Sequence, residues 1–360
     1  MTKRSARRLR GVAIGLGATL LGVAGAVAAQ RAAAKRLRAR PDREAGEAFG
    51  TLPPEVLGPV QSFDGTQLAV RAAGPVRAPT ILFAHGFGLD MTTWHYQWRA
   101  FSGRYRCILF DHRAHGRSGK AGSGDYSIRA LGRDLKAMLD MTDGKAPVIL
   151  VGHDLGGMAI LSLAEQHPEE FGGRVAGVVL ADTAASDVGR AFLAGVPARA
   201  ERALRPLTDR LAADPGRTHR GRSTGGVVSD LSLLIARATE FGPDASPSQV
   251  EYIAGLSRAA PTDVWVTMLR EFVQADLREA LGSVKVPALV VVGDRDRLTP
   301  SSSAAALLQG LPDARGVVIT RAGHLPMMEQ HRVFNDALER YLDDVAPVKK
   351  RRRKAAVTEE

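Results

Sequence analysis

Residues 148–159 read VILVGHDLGGMA. Four bulky apolar residues, a polar pair flanked by glycines and the start of an apolar helical pattern describe a buried strand that turns sharply into a helix. A strand buried on both faces fits a parallel sheet. The glycines at 152, 156 and 157 suit a turn in which backbones approach closely, and the side chain such a turn raises above the sheet is Asp154. At a helix N-terminus, free N–H groups and the helix dipole favour negative charge, so the placement predicts an ionised carboxylate.

The rest of the chain repeats this grammar. Apolar runs at 80–84, 106–110, 147–151, 175–181, 287–292 and 316–320 read as strands, and 60–70, with Asp64-Gly65 at its centre, reads as a hairpin. Helical patterns cover 125–142, 156–166 and 330–343. The alternation predicts an α/β protein: a mostly parallel sheet with helices on both faces. From 185 to 285 no strand is legible, and Ala, Arg and Leu are broken by Pro and Gly. That interval reads as a helical insertion of the kind that covers the carboxyl ends of the strands.

The net charge of +11 suggests a polyanion partner until it is located. Residues 1–44 hold eleven Lys/Arg against two Asp/Glu, and 349–360 hold six against two, so the ends account for +13 and the body is left at −2. A body without basic excess is not a nucleic-acid-binding domain. Residues 11–29 are uncharged and apolar after Lys3, Arg4, Arg7, Arg8 and Arg10. This predicts a signal peptide or a single N-terminal transmembrane helix, and hence a place in the cell membrane or export. Lys349–Lys354 reads as a solvated tail that could meet an anionic membrane surface. The single cysteine, Cys107, lies in an apolar run and is expected in the core.

Candidate chemistry sits just past the strands, where catalytic loops belong. A nucleophile on this architecture needs an acid and a histidine later in the chain. Gly293-Asp294-Arg295-Asp296 follows one strand and Gly323-His324 follows the next. Backbone N–H groups of Phe87, in His85-Gly86-Phe87-Gly88, and of Leu155 are the natural oxyanion donors. His112 and His115 lack further ligand spacing, so no metal is implied, and no phosphate loop or dinucleotide fingerprint implies a cofactor.

Taken in order, His85-Gly86-Phe87-Gly88, Asp111-His112-Arg113-Ala114-His115-Gly116, the 152–156 turn, Gly293-Asp294-Arg295-Asp296 and Gly323-His324 resemble the α/β-hydrolase family over roughly residues 55–345. The resemblance implies a catalytic set of Asp154, His324 and Asp296, with Asp296 rather than Asp294 as the acid. It also implies a core in two parts, 46–184 and 286–346, around a cap at 185–285, with 1–45 and 347–360 as basic ends. Aspartate at position 154 resembles the epoxide hydrolases and haloalkane dehalogenases. There a carboxylate displaces a leaving group from an sp³ carbon, and water then hydrolyses the resulting alkyl ester.

Other residues depart from those branches. Gly88 stands where such epoxide hydrolases carry proline, and Leu155 where dehalogenases carry tryptophan. The cap interval holds one tyrosine, Tyr252, and one tryptophan, Trp265, as candidate substrate-binding residues. Leu155-Gly156-Gly157-Met158 resembles bacterial esterases. Three readings follow: a hydrolase with Asp154 as nucleophile on a small hydrophobic substrate, an esterase-like scaffold with aspartate in place of serine, or a binding protein on a hydrolase fold.

Overall fold

The apolar runs become one sheet. Its strands are β1 (Glu55–Gln61), β2 (Gln67–Ala73), β3 (Thr80–Ala84), β4 (Arg106–Phe110), β5 (Val148–His153), β6 (Val175–Ala181), β7 (Ala288–Gly293) and β8 (Ala314–Ile319). They lie in the order β1-β2-β4-β3-β5-β6-β7-β8, antiparallel through β1, β2 and β4 and parallel thereafter. The computed structural model describes residues 25, 27–142, 144–188, 225–259 and 262–348. Its helices are α1 (27–38), α2 (His95–Phe101), α3 (Ile128–Asp140), α4 (Leu155–Gln166), α5 (Gly225–Thr239), α6 (Pro247–Ala259), α7 (Thr262–Gln274), α8 (Ser301–Gly310), α9 (Pro326–Glu329) and α10 (His331–Val345).

The central strands are continuously apolar because each feeds two cores. Leu82, Ile108, Leu150 and Val178 join α3 and α4 on one face. Ile81, Phe83, Cys107, Leu109, Ile149 and Val151 join α2 and α10 on the other. This is the period of two expressed in a sheet covered on both sides. Cys107 is fully buried, as its setting predicts. The last strand departs from expectation. β8 begins two residues earlier than the apolar run at 316–320, and as the edge of the sheet it leaves Val318 60% exposed.

The insertion between β6 and β7 supplies α5, α6 and α7; its residues 189–224 lie outside the described part, as does the basic tail from 349. The cap is pinned to the core near the strand ends. Gln249 Nε2 donates to Met328 O at 2.7 Å, and the Glu329 carboxylate receives the Gly242 and Gly323 N–H groups at 2.7 Å each. The N-terminal arm fastens it from outside. Ala34 and Leu37 of α1 are buried with Val250 and Ile253 of α6, and Arg38 pairs with Asp230 and Glu251.

The expectation of a membrane-spanning helix, and of a place in the membrane or export drawn from it, is corrected here. Among the described residues no helix is long and apolar enough to cross a membrane. Residues 11–24 and 26 of the apolar run lie outside the described part. The described helix that follows carries charge and packs its small face on the protein instead.

Every catalytic candidate leaves the sheet at the carboxyl end of a strand: Phe87 after β3, Asp154 after β5, Asp296 after β7 and His324 after β8. Packing around α4 fixes this arrangement. A Cβ added at Gly156 would stand 2.2 Å from the Ala84 carbonyl oxygen of β3, an atom that cannot move without breaking the sheet. Gly156→Ala is therefore expected to cost about 1–3 kcal/mol or more, read as a lower denaturant midpoint. An unchanged midpoint would contradict the close approach of α4 to β3.

Candidate active site

Asp154 sits between β5 and α4 with φ +50 and ψ −114, a conformation that costs a non-glycine residue about 1–3 kcal/mol. The surroundings hold it there. Its N–H donates to Ala181 O at 3.0 Å, and Thr183 Oγ1 donates to its carbonyl at 2.6 Å. The strained turn lifts the carboxylate clear of the strand toward two backbone donors. Phe87 N–H donates to Asp154 Oδ2 at 3.0 Å. The Leu155 amide also favours the carboxylate, although it does not close a helix cap with it. The two oxyanion donors expected from the sequence thus face the side chain of Asp154 itself.

The β3 turn is braced from below. Gly88 has φ +69, which proline cannot adopt, so the absence of proline there reflects a differently built turn. Gly88 N–H donates to His115 Nε2 at 3.1 Å, so His115 carries its hydrogen on Nδ1, which donates to Arg113 O at 3.1 Å. Burial holds His115 below its ordinary pKa and keeps it neutral for this role. Asp111 adds a second brace: Oδ1 receives Met91 N–H and Oδ2 receives Arg117 N–H, each at 2.7 Å.

His324 stands on the far side of Asp154. Its Nδ1 is 2.9 Å from Asp296 Oδ2, and its Nε2 is 3.8 Å from Asp154 Oδ1. The Asp296–imidazole contact is a hydrogen bond; the Asp154 contact is too long for one and leaves a gap between ring and carboxylate. The histidine loop is fixed through its backbone. His324 N–H donates to Glu240 O at 2.8 Å, and His153 Nε2 is 2.7 Å from His324 O. Burial holds His153 down at about 3, so it is neutral and donates from Nε2.

Asp296 is held by Leu298 N–H at 2.8 Å, Thr299 N–H at 3.2 Å and Thr299 Oγ1 at 2.5 Å. Asp294 instead receives Arg321 N–H at 2.6 Å and shapes the loop. The two aspartates that the sequence alone leaves equivalent are thereby separated, with Asp296 beside the imidazole.

The electrostatics couple these groups. Burial alone would lower the His324 pKa, but Asp296, then Asp154 and Glu240, leave it well above the ordinary value. Burial pushes Asp154 up, against His324 and the Phe87 and Leu155 amides, which favour its charge. The sequence reading of a simply ionised Asp154 is thus incomplete. Helix dipole and amides act as expected, but the same turn that exposes the side chain to donors removes it from water.

Tyr252 and Trp265 part company. The Tyr252 hydroxyl bonds Thr92 Oγ1 and its ring stacks on Phe49 at 5.2 Å, so its described contacts lie with the 90–92 turn rather than with Asp154. Trp265 packs on Phe87 at 4.6 Å, and its indole N–H is buried with no acceptor among the described residues. Phe272 also stacks on Phe87, at 5.8 Å. An apolar wall therefore adjoins the oxyanion donor.

Two site residues escape sequence reading. Asp182 closes β6 as Asp154 closes β5, so its place at a strand end is a usable signal. Glu240, just after α5, has none. Its partly buried carboxyl makes no hydrogen bond among the described residues. Burial, then Asp154 and Asp296, push it up to about 7 against the pull of His324. Ligand atoms of Asp182, Asp296 and His324 lie within 4.8 Å of one another. Those of Asp296 and His324 are already committed to each other, which suits a proton relay better than a metal.

The profile of the alpha/beta hydrolase fold family matches residues 79–330. Over 270 residues the chain is 26% identical to a pimeloyl-(acyl-carrier protein) methyl ester esterase of Aeromonas hydrophila, covering 74% of this chain and 96% of that one. It is 26% identical over 267 residues to 3-oxoadipate enol-lactonase 2 of Acinetobacter baylyi, covering 74% and 89%. Among solved structures, an enol-lactonase of Burkholderia xenovorans superposes with a TM-score of 0.61 at 25% identity, covering 78% of this chain and 97% of that one.

The role of Asp296 has a direct readout. A raised folded-state pKa means that the His324 contribution to stability is full below its unfolded value near 6.5 and is lost as pH rises through the folded value. Asp296→Asn removes the nearest charge, so the His324 titration followed by NMR is expected to move down by about 1–3 in pH. A titration that stays in place would remove Asp296 from the catalytic set.

Proposed function

The chain belongs to the α/β-hydrolase fold family and is a hydrolase of that superfamily; from that premise we propose that Asp154 is its nucleophile and that its substrate is a small hydrophobic epoxide. The observation that carries the reading is the division of labour between the two oxygens of Asp154. Oδ2 receives the Phe87 N–H, while Oδ1 faces the gap toward His324. In acyl transfer by serine, the oxyanion donors must be free for the carbonyl oxygen of the substrate. Here the nucleophile's own Oδ2 takes the Phe87 donor. That suits a reaction in which the tetrahedral centre forms at Cγ of Asp154, and it disfavours an esterase in which aspartate merely stands in for serine.

In the first step Oδ1 attacks an sp³ carbon of the substrate. The Cγ–Oδ1 unit becomes an alkyl ester, the carbon–oxygen bond of the epoxide breaks, and the ring oxygen leaves with the electron pair. That oxygen needs a proton. Tyr252 is engaged by Thr92; the acid of this proposal is instead Glu240, whose carboxyl is pushed up to about 7 by burial and by the charges of Asp154 and Asp296 against the pull of His324. Phe87, Trp265 and Phe272 take the apolar part of the substrate.

In the second step His324 removes a proton from water, the resulting hydroxide attacks Cγ, and the Phe87 and Leu155 amides hold the oxyanion on Oδ2. Collapse expels the alcohol oxygen, which leaves with the proton from His324, and the second proton of the water passes from the Asp154 carboxyl to the imidazole, which restores the carboxylate. Ester formation itself prepares this step. It removes the negative charge of Asp154 from beside His324, so the imidazolium becomes a stronger acid and gives its proton to the carboxylate left on Glu240 by the first step, which frees the ring to act as base.

The intermediate is testable by stalling the second step. His324→Gln incubated with a small epoxide such as styrene oxide is expected to gain the mass of one substrate molecule, located on the peptide that contains Asp154. Absence of that adduct over a panel of epoxides and haloalkanes would contradict the proposal. Glu240→Gln is expected to slow ester formation from epoxides by about 10²–10⁴-fold and to leave haloalkanes, whose leaving halide needs no proton, unaffected. An equal loss on both would remove the acid role.

A further inference from the structure

Behind the Asp296–His324 pair lies a carboxyl that the proposed reaction does not use. Asp182 follows β6, has φ +40 and is 1% exposed. Its Oδ1 receives the Gly293 N–H of β7 at 2.9 Å. Its Oδ2 is buried, and no described residue donates an N–H or a hydroxyl to it. Yet a carboxylate, that of Asp296, is its near neighbour. One ligand atom from each, together with one from His324, falls within 4.8 Å.

Two ionised carboxylates offer acceptors only, so a hydrogen bond between them requires one proton. The surroundings decide where it resides. Asp296 receives the His324 Nδ1–H, the Thr299 hydroxyl and the Leu298 and Thr299 amides. Asp182 receives a single amide among the described residues. An anion is stabilised by the number of donors turned toward it, so the charge belongs on Asp296.

We propose that Asp182 is a positioning residue of the catalytic pair: it keeps its proton and gives it, through Oδ2–H, as a hydrogen bond to the Asp296 carboxylate. This rests on the Asp296–His324 relay of the proposed function but not on the electrophile. Burial and the charge of Asp296 push the Asp182 carboxyl well above its ordinary range, in the same sense. The ionisable groups that face it are Asp296 after β7 and His324 after β8.

The bond has two effects. It fixes the Asp296 carboxylate from the side opposite the imidazole. It also limits the negative charge beside His324. Were Asp182 ionised as well, His324 would face Asp154, Asp296 and Asp182 together and would hold its proton too tightly to serve as a base.

Replacing Asp182 with asparagine separates a neutral acid from an anion. The amide of Asp182→Asn reproduces a protonated carboxyl, with Oδ1 for Gly293 N–H and Nδ2–H for Asp296. The His324 titration in the full-length chain, followed by imidazole NMR and assigned by its loss in His324→Gln, is expected to stay where it is. Removal of an anion would instead lower it by about 1 or more in pH, which would overturn the proposal.

Asp182→Leu takes a donor from Asp296, and His324 is expected to titrate higher. If that variant does not fold, infrared spectroscopy decides. The wild-type-minus-Asp182→Asn difference spectrum at about pH 8 should contain the carbonyl band of a neutral carboxylic acid, and its absence would overturn the proposal. None of these readouts requires turnover, so a failed substrate assignment leaves them unaffected.

Discussion

The hydrogen bond from Phe87 N–H to Asp154 Oδ2 is the contact on which the rest of the site depends. It forms because β3 and β5 are parallel neighbours, so that the turn after one and the turn after the other open side by side. It also needs Asp154 in a backbone conformation that aspartate does not adopt freely. Gly152, Gly156 and Gly157 allow that turn by letting α4 pass against β3 and Thr183. His115 and Asp111 hold the opposite turn so that the Phe87 amide points at the carboxylate. The sheet order then brings β7 and β8 alongside, and with them Asp296 and His324.

The result is a cluster of acids around one imidazole in a place with little water. Asp154, Asp296, Asp182 and Glu240 all act on His324 or on each other. Like charges at such range cannot all persist at low dielectric. A proton held by Asp182 and one available on Glu240 reduce the charge to what His324 and the backbone amides can balance. The same arithmetic links the two steps of the proposed reaction, because alkylation of Asp154 changes the net charge beside the base. Site geometry and site electrostatics are therefore one design, set by which carboxyl receives which donors.

The fold was largely legible because the strands bury both faces. A continuous apolar run followed by a helical pattern leaves few arrangements, and the hairpin around Asp64-Gly65 and the runs at 80–84, 106–110 and 175–181 stand where their composition puts them. The edge strand β8 was less legible, since Val318 faces solvent and Arg315 and Gly316 interrupt the apolar pattern near its start. The motif-borne residues of the site were readable as strand-end positions. What could not be read was anything fixed by packing between distant segments. Tyr252 is claimed by Thr92, and Glu240 is carried to His324 by the cap. Asp182 acquires its meaning only when β6 and β7 lie side by side. The apolar segment near the N-terminus misled for a related reason: its composition fits a bilayer, whereas the described helix beyond it is seated on the cap.

The proposed reaction turns on esterification of Asp154 itself and on attack of water at its carboxyl carbon. A single turnover with enzyme in excess over epoxide, carried out in ¹⁸O-labelled water, tests it most directly. The expected result is a first product with unlabelled oxygen taken from Asp154, while ¹⁸O appears in the Asp154 carboxylate and enters product only in later turnovers. Solvent ¹⁸O in the product of the first turnover, with Asp154 unlabelled, would contradict it.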